Sequence, residues 1–346
     1  MTPPEGGREV DALYDTSLEV TRWLQANYPQ LRGFMVFISE LGRFQFYLII
    51  IPLLYWCIHK QLGKHAAYLL AIAYIANAML KDFLREPRPY WLDEDVGWSS
   101  EPTYGIPSGH AQIVLPVYLL VAYRVRRRWV WLVAFILIFL IGLSRIYLGV
   151  HFFHDVAAGL LVGVLILAGY FTWLRYFHEQ FRNHILGQRL LVVVLLPAVL
   201  ALIYVAVLAL LGEPDTEVVW AAFSDEAAMV GIEEMTAAVG ILLGLGVGFV
   251  VEATRVHFVV AGSLPKRLLR YLLGMMVTIT IWRGLALLFP DDPLWLALPL
   301  RFIRYWLAGL WVAYYAPLVF VRLGLADASP EPEVRLTVSE GSIMRS

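Results

Sequence analysis

Three polar clusters in an otherwise apolar chain carry side chains that could act together chemically. The first is Lys81-Asp82-Phe83-Leu84-Arg85-Glu86-Pro87-Arg88-Pro89 and the second is Pro107-Ser108-Gly109-His110. The third runs from Ser144-Arg145 through His151 to Asp155. Each has an ordinary explanation taken alone. Cations at the end of a membrane span usually snorkel to the interface, and a serine before a helix usually caps it. A lone histidine at a membrane boundary is more often structural than catalytic. Together they suggest something else. Lys81, Arg88 and Arg145 would converge on a helix N-terminus carrying Ser108 and Gly109, a donor set suited to a tetrahedral dianion. His151 and Asp155 stand four apart on one helical face, so the carboxylate can orient the imidazole and stabilise its positive form. His110 comes from a different helix and can act as a separate proton donor. A phosphate cradle, an oriented nucleophile or base and a second histidine point to phosphoryl transfer.

The elements that must position these groups are membrane helices. Of 346 residues, 60% are hydrophobic and 16% charged, against about 45–50% and about 25% in soluble domains. A net charge of −1 gives no case for nucleic acid as a partner. The single cysteine, Cys57, excludes a disulfide framework and a cysteine-based zinc site. Continuous apolar runs lie at 44–58, 66–84, 111–123, 129–147, 156–174, 190–211, 236–253, 268–288 and 295–321. Each crosses or nearly crosses a hydrocarbon core of about 30 Å, and continuous rather than alternating runs argue for helices over a barrel. The expected fold is an all-α polytopic bundle of about nine spans.

Residues 1–16 lack the apolar core of a signal peptide. In 17–33, Leu18, Val20, Trp23, Leu24 and Tyr28 recur at near-helical spacing, which suits either an interfacial amphipathic helix or a solvated helix capping the bundle. Alternate connections are basic: Lys60 and Lys64, Arg124 to Arg128, Arg175 to Arg189, Arg255 to Arg270, and Arg322. Connections 212–235 and 289–294 are acidic. The positive-inside rule then puts the N-terminus and the three motifs on the extracytoplasmic side and the C-terminus in the cytoplasm, although Arg8, Arg22 and Arg32 oppose this.

The pattern K-x6-RP, PSGH and SR-x5-H-x3-D resembles the signature of the type-2 phosphatidic acid phosphatase family, matching at every defining position across 81–155. That superfamily also includes vanadium haloperoxidases and sphingosine-phosphate, isoprenyl-diphosphate and glucose-6-phosphate phosphatases. Leu41-Gly42, Arg88-Pro89-Tyr90-Trp91 and Ser144-Arg145-Ile146-Tyr147 are similar to the sphingosine-phosphate and glucose-6-phosphatase branches in particular. The resemblance implies that His151 attacks phosphorus, with Asp155 holding it in the reactive tautomer. It implies that His110 protonates the leaving group and then activates water. Lys81, Arg88, Ser108, Gly109 and Arg145 would hold the phosphoryl oxygens. No metal or other cofactor is expected. His154, one position off the register, is expected to pack or meet water.

On this reading 1–33 is an N-terminal interfacial segment, 34–211 a six-helix catalytic membrane core, 212–322 a three-helix extension and 323–346 a polar tail, disordered from Asp327. Gly240 and Gly244 have GxxxG spacing, suited to packing against the catalytic helices or to a homodimer face. Arg283, Arg301 and Arg304 fit interhelical ion pairs with Glu233 and Glu234, or a vestibule guiding an anionic head group. Phe83, Tyr90, Trp91, Trp98 and Tyr104 fit either an apolar substrate entrance or an interfacial aromatic belt. The expected substrate is a lipid phosphate (phosphatidate or sphingoid phosphate) or isoprenyl diphosphate drawn from the membrane lipids. A phosphotransferase, a glucose-6-phosphatase-like sugar phosphatase and a non-enzymatic phosphate-binding transporter remain alternatives. The apolar spans exclude a soluble haloperoxidase.

Overall fold

The structure, a computed structural model, describes residues 5–330, with side chains from Ala12 onward. Among the described residues, seven helices are long and apolar enough to cross a membrane: Lys60–Leu92, Arg128–Tyr147, Phe153–Tyr176, Leu186–Leu211, Ala221–Arg255, Leu264–Leu288 and Leu294–Arg322. A pair bent by 48°, Pro29–Glu40 with Phe44–Ile58, meets the same test, and Gly109–Val125 is a shorter apolar helix. These nine segments correspond to the nine apolar runs. The chain forms a multi-pass integral membrane protein.

The chain divides into two compact units, both discontinuous in sequence. One comprises the described residues of Met1–Tyr47, Ala76–Leu167 and Ala206–Ile232; the other, those of Leu48–Ile75, Ala168–Val205 and Glu233–Ser346.

In the first unit, Ile38, Val114, Leu115, Ile138 and Ile141 form an apolar core joining helices Arg32–Glu40, Gly109–Val125 and Arg128–Tyr147. Arg126 takes a left-handed conformation (φ 57°) and its N–H bonds the Ala122 carbonyl, ending the Gly109 helix. The chain then enters the Arg128 helix, so the PSGH turn and the Ser144-Arg145 segment share one end of a helical hairpin. The Phe153–Tyr176 helix packs its Gly159 against the Ser108 carbonyl, where any Cβ would lie 2.5 Å from that oxygen.

The N-terminal stretch is two elements rather than one: a helix at Glu5–Asn27, then a 3-10 turn at Pro29–Leu31 leading into Arg32–Glu40. Tyr14, Ser17, Leu18, Thr21 and Gln25 form its buried face, while Leu13, Val20 and Trp23 stay exposed. Tyr14 and Leu18 pack on Val96 and Phe152. Gln25 Nε2 donates to the carbonyls of Val96 and Tyr147, both at 2.9 Å. The helix therefore caps the bundle over the turn that carries His151.

In the second unit, the fully buried Tyr55 and Trp56 donate to the carbonyls of Ala313 and Val312 at 3.1 and 3.0 Å. Lys60 pairs with buried Glu252 at 2.9 Å. Gly240 and Gly244 pack on the Leu294–Leu310 helix, where a Cβ on Gly240 would sit 2.7 Å from the Phe302 carbonyl. The GxxxG face is thus used within this unit, against the last long helix rather than the catalytic helices. Arg301 pairs with Glu233 at 2.8 Å, whereas Arg283 and Arg304 lie over the rings of Trp282 and Tyr305. The expectation of disorder from Asp327 needs correcting at its start: Phe258 pairs with Ala328 and Val259 with Asp327 in a short antiparallel ladder. The rest of the tail, from 331, lies outside the described residues.

Candidate active site

The three motifs meet within the first unit. Lys81 stands in the last turn of Lys60–Leu84, the continuous helix of the Lys60–Leu92 span, and is buried. Beyond it the chain runs through a proline-rich connection to Ser108, which precedes the Gly109–Val125 helix. Arg88, fully buried, organises that connection. Its Nε donates to the Thr103 carbonyl, and its Nη2 to Thr103 Oγ1 at 3.1 Å and the Tyr104 carbonyl at 3.0 Å. Its Nη1 reaches the Val150 carbonyl at 2.8 Å and lies 3.3 Å from His151 Nε2. One guanidinium thus ties the loop before PSGH to the turn bearing His151. Lys81 Nζ joins the same cluster through Thr103 Oγ1 at 2.6 Å.

His151 Nδ1 lies 3.3 Å from Asp155 Oδ2, which also accepts the Phe152 N–H at 2.9 Å. With Nδ1 protonated towards the carboxylate, the Nε2 lone pair faces the cations. Burial first, then the charges of Arg88, Arg145 and Lys81, holds the His151 imidazole well below its ordinary range. It is therefore neutral at pH 7, the form that can attack. The turn before it needs Gly149, whose φ is +70° and whose Cβ, if present, would collide with the Val96 carbonyl. We expect Gly149→Ala to cost about 1–3 kcal/mol and to displace His151. A melting temperature in detergent and a phosphate-release rate both equal to those of the unmodified chain would refute this.

Ser108 behaves unlike a plain helix cap. Its side chain makes no capping hydrogen bond, and among the described residues its Oγ is buried without a partner, as is His110 Nε2. The Ser108 N–H bonds the Asp155 carbonyl at 2.9 Å, so the two motifs are joined through backbone. Gly109 packs against Asn77, whose amide donates to the Pro107 carbonyl and to Gln112 Oε1 at 3.0 and 2.9 Å. Gly42 lies against the His110 ring, leaving no room there for a Cβ. Arg145 is fully buried; it donates to Ser39 Oγ and to Glu101 Oε1, each at 2.5 Å.

All eight residues singled out in the sequence, Lys81, Arg88, Ser108, Gly109, His110, Arg145, His151 and Asp155, thus lie in one unit on interlocking elements. Sequence reasoning missed Ser39, Asn77, Glu101 and Thr103. One signal could have pointed to Glu101: three buried cations need a counter-charge, and it lies nine residues before His110. His154 stacks on Phe152 at 5.3 Å, with Nε2 3.4 Å from Asp155 Oδ1.

Of the aromatic residues that suited either an apolar entrance or an interfacial belt, two fit neither. Trp91 is buried and stacked on Phe223, and Tyr104 is fully buried and donates to the Ser224 carbonyl, so both are core. Phe83 is exposed. Tyr90 and Trp98 line a surface pocket of about 380 Å³ whose other walls include Glu94, Ser99 and Ser100, a mixed rather than an apolar lining.

Residues 63–179 match the model of the PAP2 superfamily, and residues 236–328 match that of the PAP2 superfamily phosphatase transmembrane extension. The undecaprenyl-diphosphatase of Sulfolobus acidocaldarius is 35% identical over 167 residues, covering 45% of this chain and 75% of that protein. Sphingosine-1-phosphate phosphatase 1 of Rattus norvegicus is 29% identical over 175 residues, 47% of this chain and 40% of that one. Glucose-6-phosphatase catalytic subunit 1 of Canis lupus familiaris is 25% identical over 187 residues, 45% of this chain. The matched region spans about half the length of that subunit, 52%. With the three motifs assembled in one site and both family regions present, the chain belongs to the PAP2 superfamily.

Proposed function

We propose that the protein is a membrane phosphatase that hydrolyses a lipid phosphomonoester or an isoprenyl diphosphate through a phosphohistidine. The observation that carries this reading is the pairing of His151 with Asp155 beside Arg88, with the buried Ser108 Oγ and His110 Nε2 making no bond to described protein groups. His151 Nε2 attacks phosphorus and the bond from phosphorus to the leaving oxygen breaks, His110 giving that oxygen its proton. Water then attacks the phosphohistidine, the P–N bond breaks and His110 takes the water's proton, so that inorganic phosphate leaves and both histidines are restored. Lys81, Arg88, Arg145, Ser108 and the N–H groups at Gly109 stabilise the equatorial oxygens of each transition state.

The charge pattern of the loops supports a reading with this site on the extracytoplasmic face and the C-terminus in the cytoplasm. A substrate whose tail stays in the leaflet suits a site at the ends of membrane helices. A sugar phosphate is a second reading, supported by the likeness to glucose-6-phosphatase catalytic subunit 1.

The test is phosphate release by purified full-length protein from phosphatidate, sphingoid phosphate, isoprenyl diphosphate and glucose 6-phosphate, with EDTA and a His151→Ala control alongside. Release that needs a divalent ion, or survives the histidine change, would overturn the mechanism. Its pH dependence is also fixed in sign. Because the His151 imidazole is held below its ordinary range, activity persists under mild acid and falls only below the ~6.5 of a free imidazole. A His151-linked limb at or above that value, measured as kcat/KM with the substrate's own ionisation subtracted, would contradict the burial and charge argument.

A further inference from the structure

We propose that Glu101 is a resident anion of the phosphate site, a carboxylate that holds Arg145 until a phosphoryl group takes its place. This rests on the reading of the site as a phosphate cradle and adds a specificity element to it.

Arg145 is fully buried, and its guanidinium requires a counter-charge. Glu101 supplies one, Oε1 to Nη2 at 2.5 Å. The geometry of that contact is what a phosphoryl oxygen would use, since carboxylate and phosphate are alternative partners for the guanidinium fork. Burial pushes the Glu101 carboxyl up, yet Arg145, ahead of His110, Arg88 and Lys81, overrides this and keeps it ionised, well below the usual carboxylate range. Three of the groups acting on Glu101, Arg145, Arg88 and Lys81, are thus ones assigned to the phosphate.

How Glu101 is held also suits exchange. Its backbone is pinned by one hydroxyl: Tyr90 Oη donates to the Glu101 carbonyl at 2.6 Å and accepts its N–H at 3.1 Å. The side chain, 24% exposed, carries its own rotatable bonds, so the carboxylate can leave Arg145 while the loop stays in place. The exchange favours a phosphomonoester dianion, which brings two charges for the one withdrawn, over a singly charged diester. On product release the carboxylate returns to Arg145 and shields it from inorganic phosphate. If it occupies Arg145 for nine-tenths of the time, apparent phosphate binding is weakened about tenfold.

The experiment is calorimetric titration of the full chain in detergent with inorganic phosphate at pH 8, comparing the unmodified protein with Glu101→Gln and Glu101→Asp. Glu101→Gln keeps the size and the acceptor and loses the charge, so phosphate should bind about tenfold more tightly. Glu101→Asp keeps the charge but shortens its reach, so it should fall between the two and serves if the glutamine variant does not fold. Turnover of Glu101→Gln should show stronger product inhibition by phosphate. Equal or weaker phosphate binding in the variants would overturn the proposal. So would a fall in the chemical step without tighter phosphate binding, the signature of a proton-transfer role. Absence of phosphate binding in all three proteins would overturn the cradle reading itself, and with it this inference.

Discussion

A His151→Ala protein is expected to release phosphate at least about 10⁴-fold more slowly than the unmodified chain, because under the proposed mechanism it loses the group that forms the covalent intermediate. What survives such a change is the electrostatic part of catalysis. Lys81, Arg88 and Arg145 lie on other segments and would still bind phosphate. The distinguishing result is therefore loss of turnover with retained phosphate binding. A second readout addresses the chemistry directly. Brief reaction of the unmodified chain with a radiolabelled substrate, stopped in alkali, should leave an acid-labile, base-stable label on the protein, and His151→Ala should leave none. Asp155→Asn should lie between the two. Its side chain can still accept the Phe152 N–H that Asp155 takes at 2.9 Å, but it no longer stabilises a positive imidazole. Retention of more than a few per cent of activity by His151→Ala would move the nucleophile elsewhere.

The parts of this site legible in the sequence are those fixed by local spacing or by position at a span end. His151 and Asp155 are four apart, so helical geometry alone brings them together. Lys81, Arg88, Ser108, Gly109, His110 and Arg145 were legible because each falls at a span end and the span count sends all those ends to one side. Thr103 and Glu101 were not, because both lie in a connection without regular periodicity whose path is set by Arg88 and Tyr90 from elsewhere in the chain. Aromatic residues misled for a related reason. Trp91 and Tyr104 flank the motifs in sequence, yet burial depends on Phe223 and Ser224, more than a hundred residues on. Likewise, GxxxG spacing announces a close helix contact but not the partner, which here is the Leu294–Leu310 helix. The N-terminal helix was legible as amphipathic. That its buried Thr21 and Gln25 donate to the carbonyls of Ile146, Val96 and Tyr147 was not, since those carbonyls lie some seventy to more than a hundred residues further along the chain.

The second large effect belongs to Arg88→Lys, which conserves charge and should still lower kcat/KM by at least about 10²–10³-fold. A lysine ammonium has three donors on one atom, whereas Arg88 serves Thr103, Tyr104 and Val150 from three separate nitrogens. No single ammonium position reaches all of those acceptors, so buried carbonyls are left unpaired, each costing about 1–3 kcal/mol. Stability should fall measurably in a detergent melt, but catalysis should fall further, because two separate losses combine. The turn carrying Val150 and His151 is no longer tied to the loop carrying Thr103, and the fork 3.3 Å from His151 Nε2 is gone. Lysine at this position therefore separates charge from geometry. If positive charge alone sustained the reaction, Arg88→Lys would remain close to the unmodified chain and only Arg88→Ala would be inactive. If the guanidinium works by joining two loops around the attacking nitrogen, both variants should be nearly inactive, and Arg88→Lys should still bind inorganic phosphate more tightly than Arg88→Ala.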